Sequence, residues 1–289
     1  MKRKILDSLR LIFKVRFLEQ LLVKFTDGKS FGNFITKLPP NHYQYSENSI
    51  REVEKQGINY RLDLSDIVDW YIYFGFKETS RQSLLDLMEV RHTIIDIGAN
   101  VGNVTLEAAK IVGSKGKVHS FEPDPENYVR LENNLNLNQF SNIIPNKLGL
   151  GDAAGTFMIA SVNPNNKGMN RIMNETTNNF KSRQIQVITL DTYVLEKKLH
   201  SVDIIKIDVE GFEYNVLKGG MKVINTFHPT LFIELDDNNL IDHGNSAKDL
   251  VRLLEEWGYE ILHSETKMKI VSNSNFTNCH YDIIAKYIA

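Results

Sequence analysis

The chain has 289 residues, 42% of them hydrophobic and 24% charged, which suits one α/β domain of ordinary size with an extension. Its 34 basic and 36 acidic residues leave a net charge of −2, which argues against nucleic acid as the main partner. A single cysteine, Cys279, excludes an intramolecular disulfide framework and a cysteine-based zinc site. It fits a reducing compartment, and a cytoplasmic location is expected.

Met1 to about Asp27 is basic and amphipathic. Lys2, Arg3, Lys4, Arg10, Lys14, Arg16 and Lys24 are interspersed with apolar residues at helical spacing. No uncharged run is long enough to span a bilayer, and no cleavage site follows a clean apolar core. Residues 1–27 therefore read as a helix packed on the domain or on a second copy of the chain, with a surface-lying membrane helix as the alternative. Gly28 to Gln56 is turn-rich and polar, a connecting segment. A helix is expected from Ser80 to about Val90.

The chain is organised around Thr93–Val104. Ile94 and Ile95 form a buried strand that runs into Asp96, Gly98 makes a tight turn, and Val104, Ala108, Ile111 and Val112 continue at helical spacing. Such a turn presents backbone N–H groups at a helix start. A dinucleotide site would want three glycines. Here the frame is Asp96-x-Gly98-x-Asn100-x-Gly102. The acid would repel a pyrophosphate and suits a ligand with an ammonium and a sulfonium, which describes S-adenosylmethionine. The next strand, Lys117–Phe121, ends in Glu122, where a carboxylate can take both ribose hydroxyls.

A helix opens at Pro123-Asp124-Pro125, and its end is expected to fray through the run Asn134 to Asn138. Ile143 to Leu150 reads as the third strand, Gly155 to Val162 and Gln184 to Leu190 as two more. The long polar loop Asn163 to Arg183 between them reads as an acceptor-side lid. Asp191 is expected to cap a short helix. Val202–Asp208 is the fourth core strand, followed by one helix from Tyr214 to Phe227, and Thr230–Asp236 is the fifth. A helix over Ala247–Trp257 ends at Gly258, and Tyr259–His263 with Tyr281–Tyr287 make a final antiparallel pair.

Three segments together, Asp96–Gly102, Phe121–Asp124 and Lys206–Gly211, resemble the FkbM family of S-adenosylmethionine-dependent methyltransferases. The likeness covers roughly Asp66 to Asp236. It implies an α/β, class I (Rossmann-like) methyltransferase fold, a mostly parallel twisted sheet with helices on both faces and an antiparallel C-terminal strand. Residues 1–80 are then an extension and 81–289 the methyltransferase domain. The resemblance implies O-methylation of a small-molecule or glycan acceptor, with S-adenosyl-L-methionine as cofactor. It adds Glu78, at the amino-acid end, and Asp152, at the adenine, to the cofactor-binding set of Asp96, Gly98, Asn100, Gly102 and Glu122.

A neutral alcohol is a poor nucleophile, so a base or a metal should be present. Asp208 and Glu210 stand at a strand end and share a face if the strand continues. Glu210 is the favoured base, Asp208 a cofactor- or acceptor-facing acid, and His243 an alternative; His228 reads as structural. Magnesium held by Asp208, Glu234 and Asp236, or by Asp237 and Asn238, is a further reading. Two other functions compete: N-methyl transfer, and a catalytically silent module acting as a membrane or partner adaptor through residues 1–27.

Overall fold

The computed structural model describes residues 7, 8, 10–161, 170–173 and 182–288. A 3-10 turn at Leu11–Lys14 precedes helix α1, Arg16–Thr26. The expected single helix is broken because Val15 takes an extended backbone (ψ 122°). The inward face of α1 then anchors on Glu19, which accepts from Arg51 Nε at 2.7 Å, Tyr73 Oη at 2.9 Å and Tyr45 Oη at 3.2 Å.

Strands β1, Ile50–Lys55, and β2, Ile58–Asp63, form a hairpin, and β1 lies within the segment expected to be a connector. Its turn is Gln56-Gly57, both at positive φ (51° and 77°), as a two-residue hairpin requires. The charged residues Arg51, Glu52 and Glu54 disguise a strand whose alternate positions are half-buried. Helix α2, Ile67–Phe74, is capped by the Asp66 carboxylate and closed by Gly75 at φ 66°. Helix α3 is Thr79–Leu85, shorter than expected.

Downstream come β3 (Thr93–Ile97), α4 (Asn103–Val112), β4 (Lys117–Phe121), α5 (Pro125–Asn136), β5 (Ile143–Asn146), β6 (Gly149–Leu150), β7 (Gly155–Ser161), β8 (Asn170–Met173), β9 (Ser182–Ile188) and α6 (Leu190–Lys197). The chain ends with β10 (Ile204–Ile207), α7 (Glu213–Gly219), α8 (Met221–Phe227), β11 (Thr230–Asp236), α9 (Asp237–Asp242), α10 (Ala247–Glu256), β12 (Tyr259–His263), β13 (Lys269–Ile270) and β14 (His280–Tyr287).

The main sheet runs β13-β12-β14-β11-β10-β3-β4-β5. From β5 to β11 every pair is parallel, and β14 inserts antiparallel between β11 and β12. This is the class I, Rossmann-like methyltransferase arrangement. The order switches direction between β3 and β10, and open α/β sheets bind ligands outside the strand ends at such a point. A second, four-stranded sheet, β6-β9-β7-β8, stands beside it. The expected third strand is thus split: β5 stays in the main sheet and β6 joins the second. The amino-terminal segment shares a core with the domain, since Leu22, Tyr60, Trp70 and Phe74 pack with Val101 and Leu106 of the glycine turn and α4.

Other departures have local causes. The expected fraying at Asn134 fails because its amide donates to Val101 O at 2.9 Å and accepts from Arg61 N–H at 2.7 Å. Thr189, not Asp191, caps α6; Asp191 accepts instead from the Lys222 and Val223 N–H groups at the start of α8. Gly220 divides the expected helix from Tyr214 to Phe227 into α7 and α8. Of the expected lid, Asn170–Met173 pairs with β7 as β8 and Ser182–Arg183 begins β9. The rest of the lid lies outside the described residues.

Candidate functional site

A cavity of about 520 Å³ lies at the carboxyl ends of β3, β4, β10 and β11. At one end its walls are Phe121, Glu122 and Pro123 with Leu148, Gly149 and Leu150. At the other they are Asp208, Glu210, Glu234, Asp236 and His280, with Asn170 and Arg171 arriving from β8. One ligand could therefore meet Glu122 and a second ligand Glu210 in one continuous space.

The Glu122 end is tied down by backbone hydrogen bonds. Glu122 is 5% exposed. Its Oε2 accepts the Asn100 N–H at 2.8 Å and its Oε1 the Asp124 N–H at 2.9 Å. A carboxylate offers about four lone-pair sites, so acceptor capacity remains toward the cavity. Burial raises its pKa to about 7, against the two backbone hydrogen bonds that oppose the rise. Gly98 adopts φ +84°, and a Cβ there would sit 1.9 Å from Asp208 O. The close approach of the β10 exit demands this glycine. Gly102, at φ +89°, is packed against Leu131 and lies outside the cavity wall.

Asp96 does not line the cavity. It is fully buried beneath the turn, where it accepts from Thr105 Oγ1 at 2.5 Å and lies 3.6 Å from Lys206 Nζ. The expected direct contact with a ligand is thereby corrected to support of the turn. Lys206, opposite Asp96 in the β3–β10 register, had no role in the sequence reading. Its Nζ donates to Gly98 O at 2.9 Å and pairs with Asp208 Oδ2 at 3.2 Å. Burial alone would lower its pKa, but Asp208 and Asp96 outweigh burial and raise it. One ammonium thus ties the glycine turn to the exit of the fourth core strand.

At the far end β10 stops at Ile207, so strand periodicity does not place Asp208 and Glu210. A loop does. Glu210 sits at φ +55°, and Glu213 Oε1 accepts the N–H groups of Val209 and Gly211, both at 3.0 Å. Both acids still face the cavity. One carboxylate oxygen each of Asp208, Glu210 and Glu234 lies within 4.8 Å of the others. Burial first, then repulsion from Asp208, pushes Glu210 up to about 8. Burial and the same neighbours raise Glu234 well above the usual carboxylate range. Asp236, a candidate metal ligand by sequence, is occupied otherwise: it caps α9 and pairs with His280 Nδ1 at 2.8 Å.

Among the described residues twelve buried side-chain atoms lack a hydrogen-bond partner, and four of them, Asn100 Oδ1, Asn170 Oδ1, Arg171 Nε and Glu234 Oε2, belong to residues that line this cavity. Buried polar atoms are normally paired, so these four are positions where ligand groups fit. The family described as methyltransferase FkbM domain matches residues 96–261. The chain belongs to the FkbM methyltransferase family. It is 30% identical over 173 residues to a hexuronic acid methyltransferase, AglP, of Haloferax volcanii, covering 60% of this chain and 65% of that one. It is 28% identical to Methyltransferase 1 of Beauveria bassiana, covering 58% of this chain and 72% of that one. A solved FkbM methyltransferase from Methylobacillus flagellatus overlays with a TM-score of 0.43 at 19% identity, over 69% of this chain and 44% of that one. The chain thus spans just under two thirds of the Haloferax protein and less than half of the solved one.

In this FkbM-family chain the other sequence candidates divide cleanly. Glu78, Gly98 and Asn100 line the cavity. Asp152 is exposed outside it; the Gly151-Asp152 turn is pinned against Gly219, and Leu148–Leu150 form that wall instead. His243 is also outside the cavity. Helix α9 carries it behind Gly211, where it packs edge-on to Phe212 at 5.5 Å, and burial lowers its pKa. His228 caps α8 and stacks on Tyr287 at 3.8 Å, a structural histidine as expected. The sequence reading missed Lys206, Arg171, Glu213 and His280 as site residues. Only Lys206 and Glu213 carried a signal, as charges inside and just after an apolar strand.

Proposed function

We propose that the protein is an S-adenosylmethionine-dependent O-methyltransferase acting on a sugar-acid hydroxyl. The observation that carries this reading is the single cavity joining Glu122 to Glu210. The residues present fit the cofactor: Glu122 would hold the ribose hydroxyls, and the unpartnered Asn100 Oδ1 with Glu78 would hold the ammonium end. When bound, S-adenosylmethionine supplies an electrophilic methyl on a sulfonium.

Glu210 takes the proton of the acceptor hydroxyl at its carboxylate. A base with pKa near the working pH is the most effective, and burial beside Asp208 puts Glu210 there. Asn239 Nδ2, 3.0 Å from Glu210 Oε2, fixes its orientation. Arg171 is 4.0 Å from Glu210 and keeps its Nε unpartnered, so its guanidinium is suited to an acceptor carboxylate. The hexuronic acid relative points to the same acceptor class.

Turnover assayed against glucuronate-type and neutral glycosides tests the proposal. Methyl ether formed on the sugar acid supports it; methylamine products, or a methyl ester on the carboxylate itself, overturn it. A second reading gives Asp208, Glu210 and Glu234 to magnesium, since their oxygens lie within 4.8 Å of one another. Loss of turnover in a chelator, restored by magnesium, would establish that reading.

A further inference from the structure

The amino-terminal unit carries apolar surface that the fold does not use. Helix α1 buries Glu19, Leu22 and Thr26. At about 100° per residue, Phe17, Leu21 and Lys24 lie on the opposite face and Phe25 on its flank. Phe17 is 67% and Phe25 58% exposed. The flanking 3-10 turns add exposed Leu11 and Ile12, and Phe34 at 79%. Both turns pack on α1, and Arg10 Nε ties them together by donating to Lys37 O at 2.8 Å.

The charge on this unit is one-sided. Lys24, Lys29 and Lys37 are exposed, as is Arg16, whose Nη1 lies 3.6 Å from Glu19 Oε1. Among described residues 7–37 the acids are Asp7, Glu19 and Asp27; Asp7 pairs with Arg10, Glu19 is buried, and Asp27 pairs with Lys55. The unit also reaches the cavity rim. Phe31, 59% exposed, packs at 5.3 Å on Tyr71, which lines the cavity. Protein–protein interfaces are depleted of lysine, whereas lysines interleaved with aromatic and aliphatic side chains match the interfacial helices that lie on anionic lipid. No helix among the described residues is long and apolar enough to cross a membrane.

We infer that this surface docks on an anionic lipid bilayer and holds the cavity mouth close to it. The phenylalanines enter the headgroup boundary while the lysines meet the lipid charge. The inference stands independently of the reaction assigned to the cavity.

The test is co-sedimentation of the full chain with phosphatidylcholine vesicles, with and without phosphatidylglycerol, at low and high salt. The expected result is binding only where phosphatidylglycerol is present, weakened by salt. Phe17→Ser combined with Phe25→Ser should weaken it by about tenfold or more. Lys24→Gln or Lys37→Gln should each weaken it roughly fivefold. Unchanged circular dichroism and melting temperature show that each variant is folded. No binding to either vesicle, or equal binding to both, overturns the inference. Concentration-dependent dimerisation in light scattering that Phe17→Ser abolishes also overturns it, because the face then belongs to a second copy of the chain.

Discussion

The two ends of the cavity treat their carboxylates in opposite ways. At the Glu122 end Glu122 has two backbone donors, and beneath the turn Asp96 Oδ2 has Thr105 while Lys206 stands 3.6 Å from its Oδ1. At the Glu210 end Asp208, Glu210 and Glu234 crowd one another, and Arg171 and Glu234 keep buried atoms unpartnered. Satisfied charges fix a geometry. Crowded and unsatisfied ones have raised proton affinity and spare bonding capacity, which is what acid–base chemistry on a second ligand requires.

The comparison breaks most sharply at Glu210. Glu210→Gln keeps the shape and removes the base, so kcat should fall by about 10²- to 10⁴-fold with cofactor affinity unchanged. The wild-type rate should rise with pH toward a plateau above about 8, where Glu210 is ionised. A flat pH–rate profile would remove it from that role. Arg171→Gln should raise KM for a sugar-acid acceptor by roughly 10- to 100-fold and leave a neutral acceptor little changed, matching one charge-assisted hydrogen-bonding group of about 1.5–3 kcal/mol. Equal losses on both acceptors would make Arg171 structural.

Glu122→Ala should weaken cofactor binding by roughly 10- to 100-fold while turnover at saturating cofactor stays close to wild type. The smallest effect is on stability. Glu122, Glu213 and Glu210 have pKa values raised in the folded state, to about 7, 7 and 8. Their contribution is therefore fully present below the unfolded carboxylate value and is lost as pH rises through these folded values. The ligand-free protein should melt at progressively lower temperature from about pH 5 to 8. A melting temperature rising over that range would contradict the raised values.

The Glu122 end was the legible one. Its residues are local: strand, turn and helix follow one another, so Asp96, Gly98, Asn100 and Glu122 fall at readable spacings. Even there the sequence could not show that Asp96 lies under the turn, because that depends on Lys206 from a strand more than a hundred residues away. The Glu210 end is assembled from β8, β11 and β14 as well as the β10 loop, and no local pattern announces Arg171 or His280. His243 misled for the same reason: six residues of helix, Asp237–Asp242, turn it behind Gly211. The β1–β2 hairpin was hidden by charges on its exposed face.

The central claim is that Glu122 and its cavity hold S-adenosylmethionine. Isothermal titration with S-adenosylhomocysteine, on wild type and on Glu122→Ala, tests it most directly. The account predicts micromolar binding by the wild type and at least tenfold weaker binding by the variant. Wild-type binding that Glu122→Ala leaves unchanged, or no wild-type binding with or without a sugar-acid acceptor, would contradict it.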